Sequence, residues 1–202
     1  MKPLLVHIRL LLVLAVLCCV VYPALVWGAG LAFFPRQAEG SLVRRTPGGP
    51  VVGSSLIGQA FSSPGYFHPR PSAVGYNAAG SAGSNLAPSN PALAARMADA
   101  TTSATALDAL TTATVAADRV YASGSGLDPD ITPANARQQA ARVARERGLT
   151  PAAVASLVER QVEPPLLGVL GPDRVNVLAL NLALDAETSR TATASGLAAG
   201  GK

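Results

Sequence analysis

Between Lys2 and Lys202 the chain has no lysine. A Walker A loop needs that side chain to reach the β- and γ-phosphates, so a phosphate cradle of that kind is excluded. The serine–lysine pairing of penicillin-binding proteins is excluded with it, and no Gly-x-Ser-x-Gly elbow occurs. Cysteine is confined to Cys18 and Cys19, adjacent within an apolar run, which rules out a disulfide-stapled or thiolate-zinc domain. Histidine is as scarce: outside the N-terminal flank only His68 remains, so a histidine metal site has no second ligand. Aromatics at 4% and charged residues at 14% are both low for a globular domain. The formal net charge of +4 is scattered arginine, with no basic stripe and no interleaved stacking aromatics, which argues against nucleic-acid binding.

The hydrophobic fraction of 49% is swollen by alanine, but one segment is apolar throughout. No charge occurs from Leu10 to Pro35. A helix over 10–34, at about 1.5 Å per residue, exceeds the roughly 30 Å of a bilayer core. Trp27, Phe33 and Phe34 are placed for an interfacial belt, and Pro23 is a kink a membrane helix tolerates. The competing reading is a cleaved signal peptide, with Lys2 and Arg9 as basic flank and a cut near Gly28–Gly30. Apolar character resumes at Leu31–Phe34, past that cut, which favours a retained anchor. Basic residues flank both ends (Lys2 and Arg9; Arg36, Arg44 and Arg45), so charge leaves the orientation open.

Beyond the anchor, Ser41–Arg45 and Pro50–Gln59 around Thr46-Pro47-Gly48-Gly49 read as a hairpin. The stretch 58–91 has no period, yet its aromatics, prolines and capping residues predict an ordered recognition loop. Asn90-Pro91 starts a helix that the Thr/Ala tract over 100–117 is expected to end. Residues 115–122 read as a strand. Thr132-Pro133 opens a helix with Ala136, Ala140, Val143 and Ala144 on one face and a solvated arginine face (Arg137, Arg142, Arg145, Arg147) opposite, closed by Gly148. Thr150-Pro151 opens another, with Val154, Leu157 and Val158 apolar. VNVLALNLAL, 175–184, reads as the best strand, and the tail 186–202 as disordered. The expected architecture is α+β: a single transmembrane helix carrying a small domain, 35–185, with a short mixed or antiparallel sheet and about three helices.

No catalytic group stands out. His68, in Tyr66-Phe67-His68-Pro69-Arg70-Pro71-Ser72, could anchor a Ser/His/Asp triad with Asp99, Asp118, Asp128 or Asp130, but a packed, hydrogen-bonded histidine in a structured loop is the simpler reading. Tyr66 and Phe67 are expected to pin the loop, and Arg70 to pair with a carboxylate of the domain or of a partner. Gly80–Asn85 could form an anion nest; without a following cation, a side-chain-capped turn is preferred.

The blocks GSSLIGQAF (53–61), GYFHPRPSA (65–73), GSNLAPSNP (83–91), SGLDPDITP (125–133) and VNVLALNLALD (175–185), in this order behind one apolar span, resemble the C subunit of the Kdp potassium-transporting P-type ATPase. The resemblance covers nearly everything from the span to Asp185 and departs in the 100–117 tract and the tail. It implies an accessory, non-catalytic subunit of a four-component inner-membrane pump, with residues 1–9 cytoplasmic and the domain extracytoplasmic. The implied partners are a potassium-conducting A subunit, an ATP-hydrolysing B subunit and a small F subunit; potassium and ATP act on the complex, with no cofactor bound directly by this chain. P-type phosphorylation needs a lysine after its aspartate, so this chain is not the phosphorylated subunit. The family is also described as a catalytic chaperone raising the ATP affinity of B, with Gln59 as the implied nucleotide contact. Docking on the A subunit would involve Tyr66, Phe67, His68, Arg70, Ser72, Ser84 and Asn85. The alternative class is an independent exported envelope enzyme or binding protein with a cleaved signal and His68 as base.

Overall fold

The computed structural model describes residues 2–199, with side chains placed over 3–191. The chain divides into two compact units, 1–42 and 43–202. In the first, α1 (Lys2–Val16), a π turn (Leu17–Val21) and α2 (Tyr22–Phe33) join into one helix, followed by the short α3 (Pro35–Ala38). Over Pro3–Phe33 it is long and apolar enough to cross a membrane, its most apolar 18-residue stretch having a mean hydropathy of 2.8. The helix begins well before Leu10, because the flank around His7 and Arg9 continues the helical backbone. Its π turn has a local cause. Pro23 has no N–H, and its ring would strike the Cys19 carbonyl in an unbroken α-helix. Widening the preceding turn, with the Tyr22 N–H reaching back to the Leu17 carbonyl, relieves that contact.

The second unit opens with the expected hairpin, β1 (Leu42–Arg44) and β2 (Val51–Ser54), its turn closed by the Gly49 N–H on the Thr46 carbonyl at 2.9 Å. A second, antiparallel sheet has the order β3–β5–β4, with β3 Asp130–Ile131, β5 Arg174–Asn176 and β4 Val162–Glu163. Val175 lies at its centre, opposite Ile131 on one side and Val162 on the other. Five helices follow in chain order: α4 (Pro91–Asp108), α5 (Ala117–Val120), α6 (Pro133–Arg147), α7 (Pro151–Arg160) and α8 (Val177–Ala199). The core joins Phe67 of the loop, Ile131 and Val175 of the sheet, Ala136, Ala140 and Val143 of α6, Val154, Leu157 and Val158 of α7, and Val177, Leu180 and Leu184 of α8.

Where local chemistry sets the boundaries, the predicted elements form. The Asn90 side chain accepts from the Ala92 N–H, and Thr132 and Thr150 accept from Asn135 and Ala153, each ahead of a first-turn proline. Gly148 closes α6.

Four predicted stretches differ. Residues 175–184 are not a strand: only Arg174–Asn176 pair, and α8 starts at Val177. The buried set Val177, Leu180, Asn181 and Leu184 has helical spacing, and the Asn176 side chain accepts from the Ala179 N–H as an N-cap. Residues 115–122 hold the short helix α5 rather than a strand. The Thr/Ala tract continues α4 as far as Asp108, with Ala109 left-handed at its end (φ 53°). Composition predicts disorder after Asp185, yet helix α8 continues to Ala199; residues 200–202 lie outside the described set.

Candidate functional site

The loop 55–90 has no regular structure, and its order comes from side chains reaching in from the helices. Phe67 is fully buried. Its N–H donates to Asn181 Oδ1 at 2.9 Å, and its carbonyl accepts from Asn181 Nδ2 at 3.0 Å. One residue on, the His68 N–H donates to Gln139 Oε1 at 2.8 Å and the His68 carbonyl accepts from Gln139 Nε2 at 3.0 Å. Two amide side chains, one from α8 and one from α6, thus pair with consecutive residues as a neighbouring strand would. Such pairing satisfies buried backbone groups that regular structure would otherwise have to satisfy.

Arginines complete the clamp. Arg142 donates to the carbonyls of Pro64 and Tyr66, to Gln139 Oε1, and to Asp108 Oδ1 at 2.7 Å. Asp108, at the end of α4, also takes Arg119. All three side chains are more than nine-tenths buried. Burial pushes the Arg119 guanidinium below its usual range, and the Asp108 charge pulls it back up. Arg142 is therefore not on a solvated arginine face. That face holds for Arg137, which forms an exposed double hydrogen bond to Glu159, and for Arg145. Arg147 donates to the Gly65 carbonyl at 2.7 Å, stacks 4.2 Å above the Tyr66 ring and approaches Asp185 at 2.9 Å; the Tyr66 hydroxyl donates to that carboxylate at 3.3 Å.

Further along, Arg70 pairs with Asp128 at 2.8 Å, so its partner is a carboxylate of the domain itself. The Ser72 hydroxyl donates to the Gly126 carbonyl at 2.6 Å and accepts from the N–H groups of Val74 and Tyr76. Tyr76 holds a left-handed backbone (φ 59°), a conformation a bulky residue keeps only when its surroundings over-determine it. Here its N–H bond to Ser72 and its hydroxyl, donating to the Arg70 carbonyl at 2.7 Å, do so; burial raises the hydroxyl's pKa. In the 80–85 segment the Ser81 hydroxyl donates to the Ser125 carbonyl, and Asn77 caps the preceding turn through the Ala79 N–H.

The motif blocks are thus pieces of one packing problem, with 123–130 as hub. Gly126 shows how tight it is: its φ is +69°, and a Cβ there would lie 2.6 Å from Val74 Cγ2 and 2.8 Å from the Ala82 carbonyl. Gly126→Ala is expected to destabilise the domain by at least about 1 kcal/mol, read as a lower urea midpoint; an unchanged midpoint would mean that the loop does not pack on the hub in solution.

His68 Nε2 sits 3.0 Å from the Ser63 carbonyl, a contact that takes the Nε2–H tautomer. Burial lowers its pKa, with Arg142 and Arg119 adding to the effect and the Ser63 contact opposing it. A lowered folded-state value means that the unfolded chain takes up the proton first, so the stabilising contribution is complete above about pH 6.5 and is lost as pH falls below it. Unfolding midpoints should therefore drop more between pH 7.5 and 5.5 for the parent chain than for His68→Gln; equal drops would remove the histidine from the account.

The Gln59 amide donates to the Val52 carbonyl at 3.2 Å, within the hairpin region. Ser72 and Ser84, apart in sequence, come together. With Ala73, Leu93, Met97 and Tyr121 they line a groove of about 440 Å³ between the loop and α4. Asn85, left-handed at φ 50°, is exposed. Among the described residues no group of three metal-ligating side chains occurs. Sequence reasoning passes over Asp108, Gln139 and Asn181, and it puts Arg142 on the solvated face. The available signal is a polar residue inside an apolar helical stripe: Gln139 beside Ala136, Ala140 and Val143, and Asn181 between Leu180 and Leu184.

The profile of KdpC, the c chain of K+-transporting ATPase, matches residues 4–186. The chain belongs to the KdpC family. Among curated relatives, the Potassium-transporting ATPase KdpC subunit of Cereibacter sphaeroides is 54% identical over 176 residues, covering 87% of this chain and 92% of the relative. The subunit of Caulobacter vibrioides is 53% identical over 189 residues, 92% of each chain, and that of Gemmatimonas aurantiaca 51% identical over 186 residues, covering 89% and 92%. Membership places the chain in a potassium-transporting ATPase and agrees with the family resemblance of its motif blocks. The matched residues include both the apolar helix and the clamped loop.

Proposed function

We propose that the chain is a non-catalytic accessory subunit that assembles or stabilises the potassium pump, anchored by its N-terminal helix with residues 1–9 in the cytoplasm and the domain outside. Its contacts are the ion-conducting A subunit, the ATP-hydrolysing B subunit and the small F subunit. ATP and potassium engage the complex rather than a site on this chain, and Gln59 serves its hairpin before any nucleotide.

One observation supports the docking role above others: the long loop is irregular yet fixed by helix side chains, and it forms one wall of an open groove. A rigid, non-repeating surface loses little entropy on binding. Tyr66, Phe67, Arg70 and Ser72 act from within, by holding that shape, while Ser84, Asn85 and the α4 wall with Leu93 and Met97 meet the A subunit. Contact-surface and scaffold substitutions should therefore separate. Met97→Asp is expected to reduce co-purification of the A subunit from detergent-solubilised membranes by about tenfold or more, the effect of losing about 1.4 kcal/mol, while leaving the domain's melting curve in place. Full recovery of the A subunit with Met97→Asp and Asn85→Ala combined would remove the groove as the docking face.

A further inference from the structure

The segment 164–172, PPLLGVLGP, presents large aliphatic side chains to solvent on a closed hairpin. Leu166 is 64% exposed, Leu167 84%, Val169 78% and Leu170 58%. Leu166 and Leu170 pair as a β-bridge, each N–H on the other's carbonyl at 3.0 Å. The Gly168 N–H donates to the Pro165 carbonyl at 2.9 Å and the Val169 N–H to the Leu166 carbonyl at 3.3 Å. Pro164, Pro165 and Pro172 have no N–H to satisfy. An aliphatic tip this exposed marks an interaction site rather than a random surface.

We infer that this hairpin is a lipid-inserting tip, seated in the bilayer that holds the chain's own helical anchor. The inference rests on the anchored reading above. Three features favour lipid as the occupant. The tip carries no side-chain hydrogen-bonding group between Pro165 and Pro172, so it offers a protein partner no directional contact. Four of its six N–H groups, those of Leu166, Gly168, Val169 and Leu170, are satisfied within the hairpin, which lowers the cost of seating it at the apolar edge of a bilayer and keeps it shallow there. Covalent continuity supplies the third. Residues 34–41 link the apolar helix to β1 and span at most about 28 Å even fully extended. A tethered domain meets its own membrane at high effective concentration, so four aliphatic side chains suffice where a free protein would need more. No charge complementarity is needed. The flanking Arg174 is already paired with Glu163 at 2.8 Å and with Asp130 at 3.4 Å, so insertion should not depend on acidic lipid.

The test uses the full chain with Cys18→Ser and Cys19→Ser, Leu167→Cys carrying an environment-sensitive fluorophore, reconstituted into phosphatidylcholine vesicles. Flotation after a carbonate wash reports the anchor on the same sample. Insertion predicts blue-shifted emission, quenching by nitroxide-labelled phosphatidylcholine and protection from aqueous iodide, all lost when Val169→Asp is added while the chain still floats. Iodide quenching without nitroxide quenching in floating vesicles overturns the tip and leaves the anchor standing. Blue-shifted emission that neither quencher reaches means the tip is covered by a second copy, which also overturns it. A chain that fails to float overturns the anchored reading, and the tip with it.

Discussion

Asp108→Asn is expected to cost the folded domain about 3–5 kcal/mol, the range for breaking a buried ion pair from one side. The carboxylate has no exposed surface and holds Arg119 and Arg142, themselves at most 7% exposed. Removing its charge leaves two guanidinium groups buried beside one another with no anion between them. Domains of this size are stable by about 5–15 kcal/mol in total, so the variant should lose a large part of its stability, seen as a fall in the urea midpoint at unchanged slope. Replacing all three residues by apolar ones of similar volume should restore only part of it. An isolated buried triad is often neutral to such replacement, but Arg142 also holds the Pro64 and Tyr66 carbonyls, which would then be unsatisfied. A loss under about 1 kcal/mol for Asp108→Asn would show that water reaches the cluster in solution.

The second large effect is at Asn181. Asn181→Leu keeps the branched shape but leaves the Phe67 N–H and carbonyl without partners in a dry core, at about 1–3 kcal/mol for each group. Phe67→Ala, by comparison, should cost about 3–5 kcal/mol through lost burial and the cavity left behind. The two differ in what they release. With Asn181→Leu the helices keep their core packing while the loop loses its backbone partners, so the loop should detach locally and be cut by protease within 58–91 before the helices unfold. Co-purification of the A subunit should fall with it, although no surface residue has changed. Cleavage rates equal to those of the parent chain would mean that the amide clamp does not hold the loop.

The elements whose turn or cap residues read as such are legible in the order of residues alone. The first hairpin's turn is written in Thr46-Pro47-Gly48-Gly49, the helix starts in Asn90-Pro91, Thr132-Pro133 and Thr150-Pro151, and the stop of α6 in Gly148. A cap or a turn needs only its neighbours in the chain. The membrane-length helix is equally legible, since length and apolar composition carry that signal. The VNVLALNLAL segment is not. A short apolar run reads alike as strand or buried helix, and the choice falls to Val175 filling the sheet centre while Val177, Leu180 and Leu184 turn into the helical core. The α4 tract is misread on propensity, because threonine is a poor helix former, whereas packing of Ala104 and the Asp108 ion pairs extend the helix regardless. The loop's aromatics and arginine are visible as anchors, but their direction is not. Arg70 meets Asp128 and Phe67 meets Asn181 across 58 and 114 residues of chain. Contacts at such separations belong to the tertiary structure, since the partners are chosen by which helices share a core and no local pattern records that choice.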